Sequence, residues 1–219
     1  MTLKAAIIPV TEFQQNCTIL WEEETRRAVV VDAGGDVDKL MDAIGQLGVT
    51  VERLLLTHGH MDHAGGAAEL RERLAAAHPD APRIPIEGPG EADGFLLAAI
   101  EKQAQLYGLR GLRSVTPDRF LKEGETIALG GTTFDVVHCP GHTPGHIAFV
   151  DQTARVALVG DIIFAGSVGR TDLGYGSHEE LINSITTKLL PMGDDITFVP
   201  GHGPTSTFGQ ERQSNPFLE

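Results

Sequence analysis

Leu54-Leu55-Leu56-Thr57-His58-Gly59-His60-Met61-Asp62-His63-Ala64-Gly65-Gly66 constrains this chain more than any other stretch. An apolar run stops, and three histidines and an aspartate follow within six positions. Glycines and a helix-forming segment come next. The polar residues therefore fall on a turn between a buried strand and a helix, where side chains can converge on one point. Imidazoles at i and i+2, then a carboxylate and a third imidazole, suit a borderline metal such as Zn²⁺. Ligands on a helix would need i, i+4 spacing, as in HExxH, so this cluster belongs to a loop. A polar turn with incidental histidines is the competing reading, and four metal-ligating side chains so close together disfavour it.

Distant parts of the chain supply further ligands. His142 lies in His138-Cys139-Pro140-Gly141-His142-Thr143-Pro144-Gly145-His146, Asp161 ends the apolar run Val156–Gly160, and His202 lies in Pro200-Gly201-His202-Gly203-Pro204. Each sits at the end of a predicted strand and the start of a Gly/Pro loop, and strand ends on one sheet edge bring such residues together. With these in place, the chain resembles the metallo-β-lactamase superfamily. Its HxHxDH…H…D…H pattern is reproduced by His58, His60, Asp62, His63, His142, Asp161 and His202. Within the superfamily it is most similar to short, single-domain bacterial proteins related to glyoxalase II (hydroxyacylglutathione hydrolase). Cys139–His146, Gly166–Asp172 and Pro200–Pro204 carry that finer match.

The resemblance implies an αββα sandwich of two mixed β-sheets with outer helices, which is an α/β fold. It implies two divalent metal ions, zinc first with iron or manganese as alternatives. His58, His60 and His142 would hold one, Asp62, His63 and His202 the other, and Asp161 would bridge them. Metals about 3.5–4 Å apart can share a hydroxide, because bound water falls from a pKa near 16 to about 7; Asp62 would orient it. A purely structural zinc would favour thiolates, which this set lacks. The substrate implied is a thioester, with S-D-lactoylglutathione foremost. Arg170 would grip a glutathione carboxylate with its fixed fork of donors, or else brace its loop by pairing with Asp172. Larger glyoxalase II enzymes carry a C-terminal helical domain that helps hold glutathione. Only Thr205–Glu219 follow the His202 loop Pro200–Pro204 here, which leaves other acyl-thiols open. The main rival is a mononuclear iron persulfide dioxygenase with the same fold and a similar Gly-Arg-Thr-Asp loop. A metal-binding module without turnover is the third reading. Flavodiiron oxygen reductases carry glutamate in place of His60.

Composition limits the partners. A chain of 219 residues, 41% hydrophobic, can bury a full core, and residues 1–219 read as one domain. A formal charge of −13 argues against nucleic acid and anionic membrane, leaving a small-molecule partner. Met1–Val10 is too short an apolar stretch for a signal peptide, and no run reaches transmembrane length. Only Cys17 and Cys139 are present, as expected of a cytoplasmic protein.

Periodicity alone predicts a mixed α/β domain. Strands are expected over Lys4–Val10, Cys17–Glu22, Arg27–Asp32, Val51–Leu56, Ile84–Ile86 and Ile196–Val199. Hairpins join Thr126–Leu129 to Thr132–Val137 through Gly130-Gly131, and His146–Val150 to Arg155–Val159. Helices are expected over Asp36–Gly48 with Asp36 as N-cap, Gly66–Ala77, Glu91–Tyr107, and Ser177 or His178 to Leu190 with a Ser177/Glu180 capping box. Gly108–Pro117 reads as a loop and Thr205–Glu219 as a polar tail. Val29–Gly34, a helix, a strand and Thr57-His58-Gly59 are echoed by Leu158–Asp161, a helix, a strand and Gly201-His202-Gly203. Among the other residues, Asp32 would orient the loops or a ligating imidazole. Cys139 reads as a small buried hydrophobe, and His146 as a hydrogen-bonding or packed ring. His78, His138 and His178 read as ordinary strand-end or surface histidines.

Overall fold

The apolar runs of the strands are explained by burial on both faces in the computed structural model, which describes residues 2–129 and 132–218. The first part of the chain forms β1 (Leu3–Val10), β2 (Gln15–Glu22), β3 (Arg27–Val31), α1 (Val37–Leu47), β4 (Thr50–Leu55), α2 (Met61–Ala64), α3 (Ala67–Ala77), β5 (Ile86–Glu87), α4 (Gly94–Ala98) and α5 (Ile100–Leu106). Then come β6 (Thr126–Leu129), β7 (Thr132–His138), β8 (Ile147–Asp151), β9 (Val156–Gly160), β10 (Ile163–Phe164), β11 (Ser167–Val168), α6 (His178–Ser184), β12 (Thr197–Pro200), β13 (Ser206–Thr207) and α7 (Phe208–Ser214). The sheets run β1-β2-β3-β4-β5 and β13-β12-β9-β8-β7-β6, with β10-β11 a separate hairpin.

Strand alternation sorts neighbouring residues into different cores. Ala28, Val30 and Leu54 face α1 and α3 through Leu40, Ile44, Leu70 and Leu74. Ala148, Val150, Ala157 and Val159 face the opposite helices through Leu181, Ile185 and Phe208. Between the sheets, Val29, Val31 and Leu55 meet Phe134, Ile147, Phe149 and Leu158. The layers are therefore helix, sheet, sheet, helix. Both sheets are mixed, since β3–β4 and β9–β12 are parallel while β1–β2, β7–β8 and β8–β9 are antiparallel. Those two parallel pairs realise the internal echo. Backbone bonds then tie the strand-end loops into one rim: Asn16 N–H to Gly201 O at 2.7 Å, Gly201 N–H to Gly160 O at 2.7 Å and Ile147 N–H to Thr57 O at 2.9 Å.

Some local expectations change. Asp36 is not a capping side chain: its backbone is left-handed, with φ 47°, and its carboxylate accepts from Thr11 N–H at 2.8 Å instead. The helix expected over Glu91–Tyr107 breaks into a 3₁₀ turn at Glu91–Asp93, then α4, then α5. After α6 the helix widens into a π turn at Ile185–Leu189 and tightens at Leu190–Met192. There Thr186 and Thr187 hydroxyls donate back to the Ile182 and Asn183 carbonyls, which loosens the regular ladder. Ser177 caps α6 by accepting from Glu180 N–H. The polar tail is structured: β13 pairs with β12, and Phe208, Glu211 and Asn215 of the α7 segment are buried. The fifth strand sits at Ile86–Glu87, later than its expected span. The Gly130-Gly131 turn lies outside the described residues. Among those residues, no helix is long and apolar enough to cross a membrane.

Candidate metal centre

The loops that leave β4, β7, β9 and β12 carry the seven ligand-type residues to one rim. His58 ends the run from β4, and its orientation follows from proton bookkeeping. Thr57 N–H and Thr57 O–H both donate to Asp32, at 2.8 and 2.6 Å. With its one proton committed, the Thr57 hydroxyl can only accept from His58 Nδ1–H, 3.0 Å away. His58 Nε2 is then a bare lone pair pointing inward. The same logic fixes His142, whose Nδ1–H donates to the Arg170 carbonyl at 2.8 Å. His63 Nδ1–H donates to Asp32 Oδ2 at 2.9 Å, and His202 Nδ1–H to the Phe13 carbonyl at 3.1 Å. Four imidazoles thus hand their proton outward and turn Nε2 inward, which is how ligating histidines are held.

The inward atoms form two groups. His60 Nδ1 lies 3.1 Å from His58 Nε2 and 3.0 Å from His142 Nε2. The second group joins His63 Nε2, His202 Nε2 and Asp62 Oδ2, with 3.4 Å between the two nitrogens and 3.2 Å from His202 to Asp62. Asp161 stands between the groups, its carboxylate 3.3 Å from His63, 3.6 Å from His142 and 3.7 Å from His202. Its Oδ1 is buried and accepts no hydrogen bond. Imidazole nitrogens crowd together in the first group, and a buried carboxylate oxygen without a hydrogen-bond partner stands beside both groups. The residues fit divalent cations: each trio's donor atoms lie within 4.8 Å of one another, close enough to share one ion. Asp32, His58 and His63 form a third such group. It is a poor cradle, because both Asp32 oxygens already take the three donors named above.

Charge is divided between the groups. Burial, and then the neighbouring imidazoles, holds His58 far below the usual histidine range, and brings His60 to about 3. Burial also pulls on His63, but the Asp161 and Asp62 charges outweigh it and raise its pKa well above normal. His202 is raised too, burial being overcome by its bond to Asp62 and the Asp161 charge. Against their own burial, the Asp161 and Asp62 carboxylates are lowered, chiefly by His63.

The surrounding residues hold this arrangement. Asp32 has φ 56°, a left-handed backbone costly for a residue with a side chain, and it is paired to three donors in return. Buried His146 is no inward donor: its Nε2 accepts from Asp161 N–H at 3.0 Å while its ring stacks on His58 at 4.5 Å. Gly201 is required where it stands, because a Cβ there would collide with Asp161 Oδ1 and His63. Cys139 is buried in the core beside α6, which pushes its thiol up to about 12. His138 Nε2–H donates to the Pro144 carbonyl, bracing the His142 loop at 2.8 Å.

The donors open into a cleft of about 360 Å³. Phe13, Leu106, Tyr107, Leu173 and Tyr175 give it an apolar wall, and Arg170 lines its edge. The Arg170 guanidinium is bidentate to Asp172, at 2.7 and 3.0 Å, with both side chains exposed. Two residues of the site escape sequence reading. Tyr175 bonds His60 Nε2 at 2.8 Å, and its flanking Gly174 and Gly176 were the available signal. Asp93 joins two ligand loops, but it stands at the start of a segment patterned as continuous helix.

Residues 10–202 match the metallo-beta-lactamase superfamily. Hydroxyacylglutathione hydrolase GloC of Haemophilus influenzae is 46% identical over 213 residues, 97% of this chain and 96% of that protein. Among solved structures, the BLEG-1 B3 metallo-beta-lactamase superposes with a TM-score of 0.86 at 33% identity, covering 98% of this chain and 99% of that one. TTHA1623 in a di-iron-bound form superposes with a TM-score of 0.83 at 33% identity, covering 97% and 100%.

Proposed function

The chain belongs to the metallo-beta-lactamase superfamily, and we propose that within it this protein is a binuclear metal-dependent hydrolase of thioesters, with S-D-lactoylglutathione the foremost substrate. The observation that carries the reading is the pair of inward donor groups with the orphaned Asp161 carboxylate between them. His58, His60 and His142 would hold one ion, Asp62, His63 and His202 the other, and Asp161 both. Seven donors exceed what one tetrahedral ion accepts, and the set has no thiolate, so closed structural zinc is a poor fit. When bound, such ions make a nucleophile of water at neutral pH and polarise a carbonyl. Zinc suits the imidazole-rich set, and the di-iron form of the TTHA1623 relative supports iron as an alternative.

The chain's own residues do the rest. Asp62 lines the cleft and orients the attacking water by accepting its hydrogen. Water oxygen adds to the thioester carbon, the C–S bond breaks, and the products are a carboxylic acid and a thiol. Asp32 fixes the His63 ring, and Tyr175 the His60 ring, so that the donors need no reorganisation during turnover. The apolar wall formed by Phe13, Leu106 and Tyr107 shields the reacting carbonyl on one side. Arg170 takes a carboxylate of the thiol half by exchanging Asp172 for it. Both partners of that ion pair are exposed, so the exchange gives up little. Support for glutathione comes from the similarity to the Haemophilus influenzae hydroxyacylglutathione hydrolase.

A panel of acyl-thiols, followed by thiol release, tests the substrate. Glutathione thioesters are expected to have the highest kcat/KM. Equal kcat/KM across unrelated thiols would remove glutathione from the assignment and keep the thioesterase.

A further inference from the structure

We propose that Asp93 is a positioning residue for the metal centre, whose carboxylate clasps the His58–His60 loop to the His142 loop and sets the spacing of the three imidazoles that share one ion. The inference rests on the binuclear reading above. Asp93 ends the 3₁₀ turn Glu91–Asp93 and has no exposed surface. Its Oδ2 accepts from Gly59 N–H at 2.9 Å and from the Thr143 hydroxyl at 2.7 Å, and its Oδ1 from Gly145 N–H at 2.6 Å. Gly59 lies between His58 and His60, and Thr143 follows His142. Among the described residues, no other side chain outside the donor set bonds both loops.

Packing shows that Asp93 is a wedge as well as an acceptor. Gly90 N–H donates to the Gly145 carbonyl at 2.8 Å. A Cβ on Gly145 would lie 2.5 Å from Asp93 N, and one on Gly59 would lie 2.7 Å from Leu96 Cβ. Both glycines are therefore the close-approach points at which the 90–96 segment grips the two loops. Three donors converge on two oxygens, and only a carboxylate can satisfy them all. Asparagine offers one acceptor oxygen, so its NH₂ must face a buried backbone N–H whichever way it is turned. The second trio is anchored elsewhere, His63 by Asp32 and His202 by the Phe13 carbonyl. Loss of the clasp should thus act on one ion and spare the other.

The test compares wild type, Asp93→Asn and Thr143→Val, each loaded with zinc and challenged with a chromophoric chelator. Elemental analysis and the melting temperature of the metal-free protein are recorded alongside. His142→Ala and His202→Ala assign the two phases of zinc release. Asp93→Asn is expected to remain folded without metal, and to release the ion of the His142-dependent phase about ten- to a hundredfold faster. The His202-dependent phase should keep its wild-type rate. Thr143→Val should move the same phase by less, and it decides the matter alone if Asp93→Asn does not fold. Unchanged release of both ions, or equal acceleration of both with metal-free stability intact, overturns the clasp. Wild type holding fewer than two zinc ions overturns the binuclear reading, and the clasp with it.

Discussion

Asp32→Asn should cost this protein either an ion or stability, because the buried network around Asp32 leaves an amide no satisfactory orientation. Asp32 Oδ1 takes Thr57 N–H, while Oδ2 takes the Thr57 hydroxyl and His63 Nδ1–H. If the asparagine oxygen occupies the Oδ2 place, its NH₂ faces Thr57 N–H, and a buried donor goes unpaired at a cost of about 1–3 kcal/mol. If it occupies the Oδ1 place, its NH₂ faces His63 Nδ1, which must then accept. The His63 proton moves to Nε2, the nitrogen that points at Asp161 and His202. A protonated Nε2 cannot ligate. Loss of the charge-assisted bond to His63 alone is worth about 1.5–3 kcal/mol, roughly ten- to a hundredfold in affinity. The assays are zinc affinity by chelator competition, melting of the metal-free protein, and ¹⁵N chemical shifts of the His63 ring. Either the second ion binds at least about tenfold more weakly with a His63 tautomer change, or the metal-free protein loses about 1–3 kcal/mol with the tautomer kept. Wild-type affinity together with wild-type stability would refute the argument.

Other residues separate the remaining roles. Asp161→Ala should weaken binding of both ions and His202→Ala mainly one, as read by elemental analysis after dialysis; one tightly held ion, unaffected by His202→Ala, would contradict the bridge. Burial, and then His142, lowers the His146 pKa, so in metal-free protein the unfolded chain takes up a proton near pH 6.5 that folded His146 refuses. That contribution is whole above about pH 6.5 and shrinks as pH falls below it. The stability difference between wild type and His146→Gln should therefore narrow from pH 7 to pH 5, by up to about 1.4 kcal/mol per pH unit, and a constant difference in denaturant melts would exclude it. Arg170→Met should raise KM for a glutathione thioester about ten- to a hundredfold with metals retained, and spare an acyl-thiol lacking the carboxylate. Equal losses for both substrates, or loss of metal, would assign Arg170 to bracing its loop with Asp172.

What the sequence made legible follows from what is local in it. The four ligand-type residues of His58–His63 announce themselves through their spacing on one turn, and His142, Asp161 and His202 through apolar runs that end in glycine and proline. The sandwich is harder to read. Strands such as β3 and β9 are buried on both faces, so their runs show no alternation to say which neighbours face which sheet. Asp93 and Tyr175 were hidden for a different reason: their roles lie in partners 34 or more positions away, Gly59 and Thr143 for one and His60 for the other. Asp36 misled because its residue type suits a cap while its backbone is left-handed. The tail after His202 read as polar because only Phe208 and the inward sides of Glu211 and Asn215 reveal α7.

Hydrolysis should depend on two ions held by these seven side chains, and one sample can test it. Purified protein is assayed for metal content and for S-D-lactoylglutathione turnover under nitrogen, then again after chelation and after zinc is restored. The expected result is two ions per chain and oxygen-independent thiol release, abolished by chelation and recovered with zinc. Undiminished hydrolysis by thoroughly metal-free protein would contradict the account, as would a single iron whose only turnover is oxygen-consuming oxidation of glutathione persulfide.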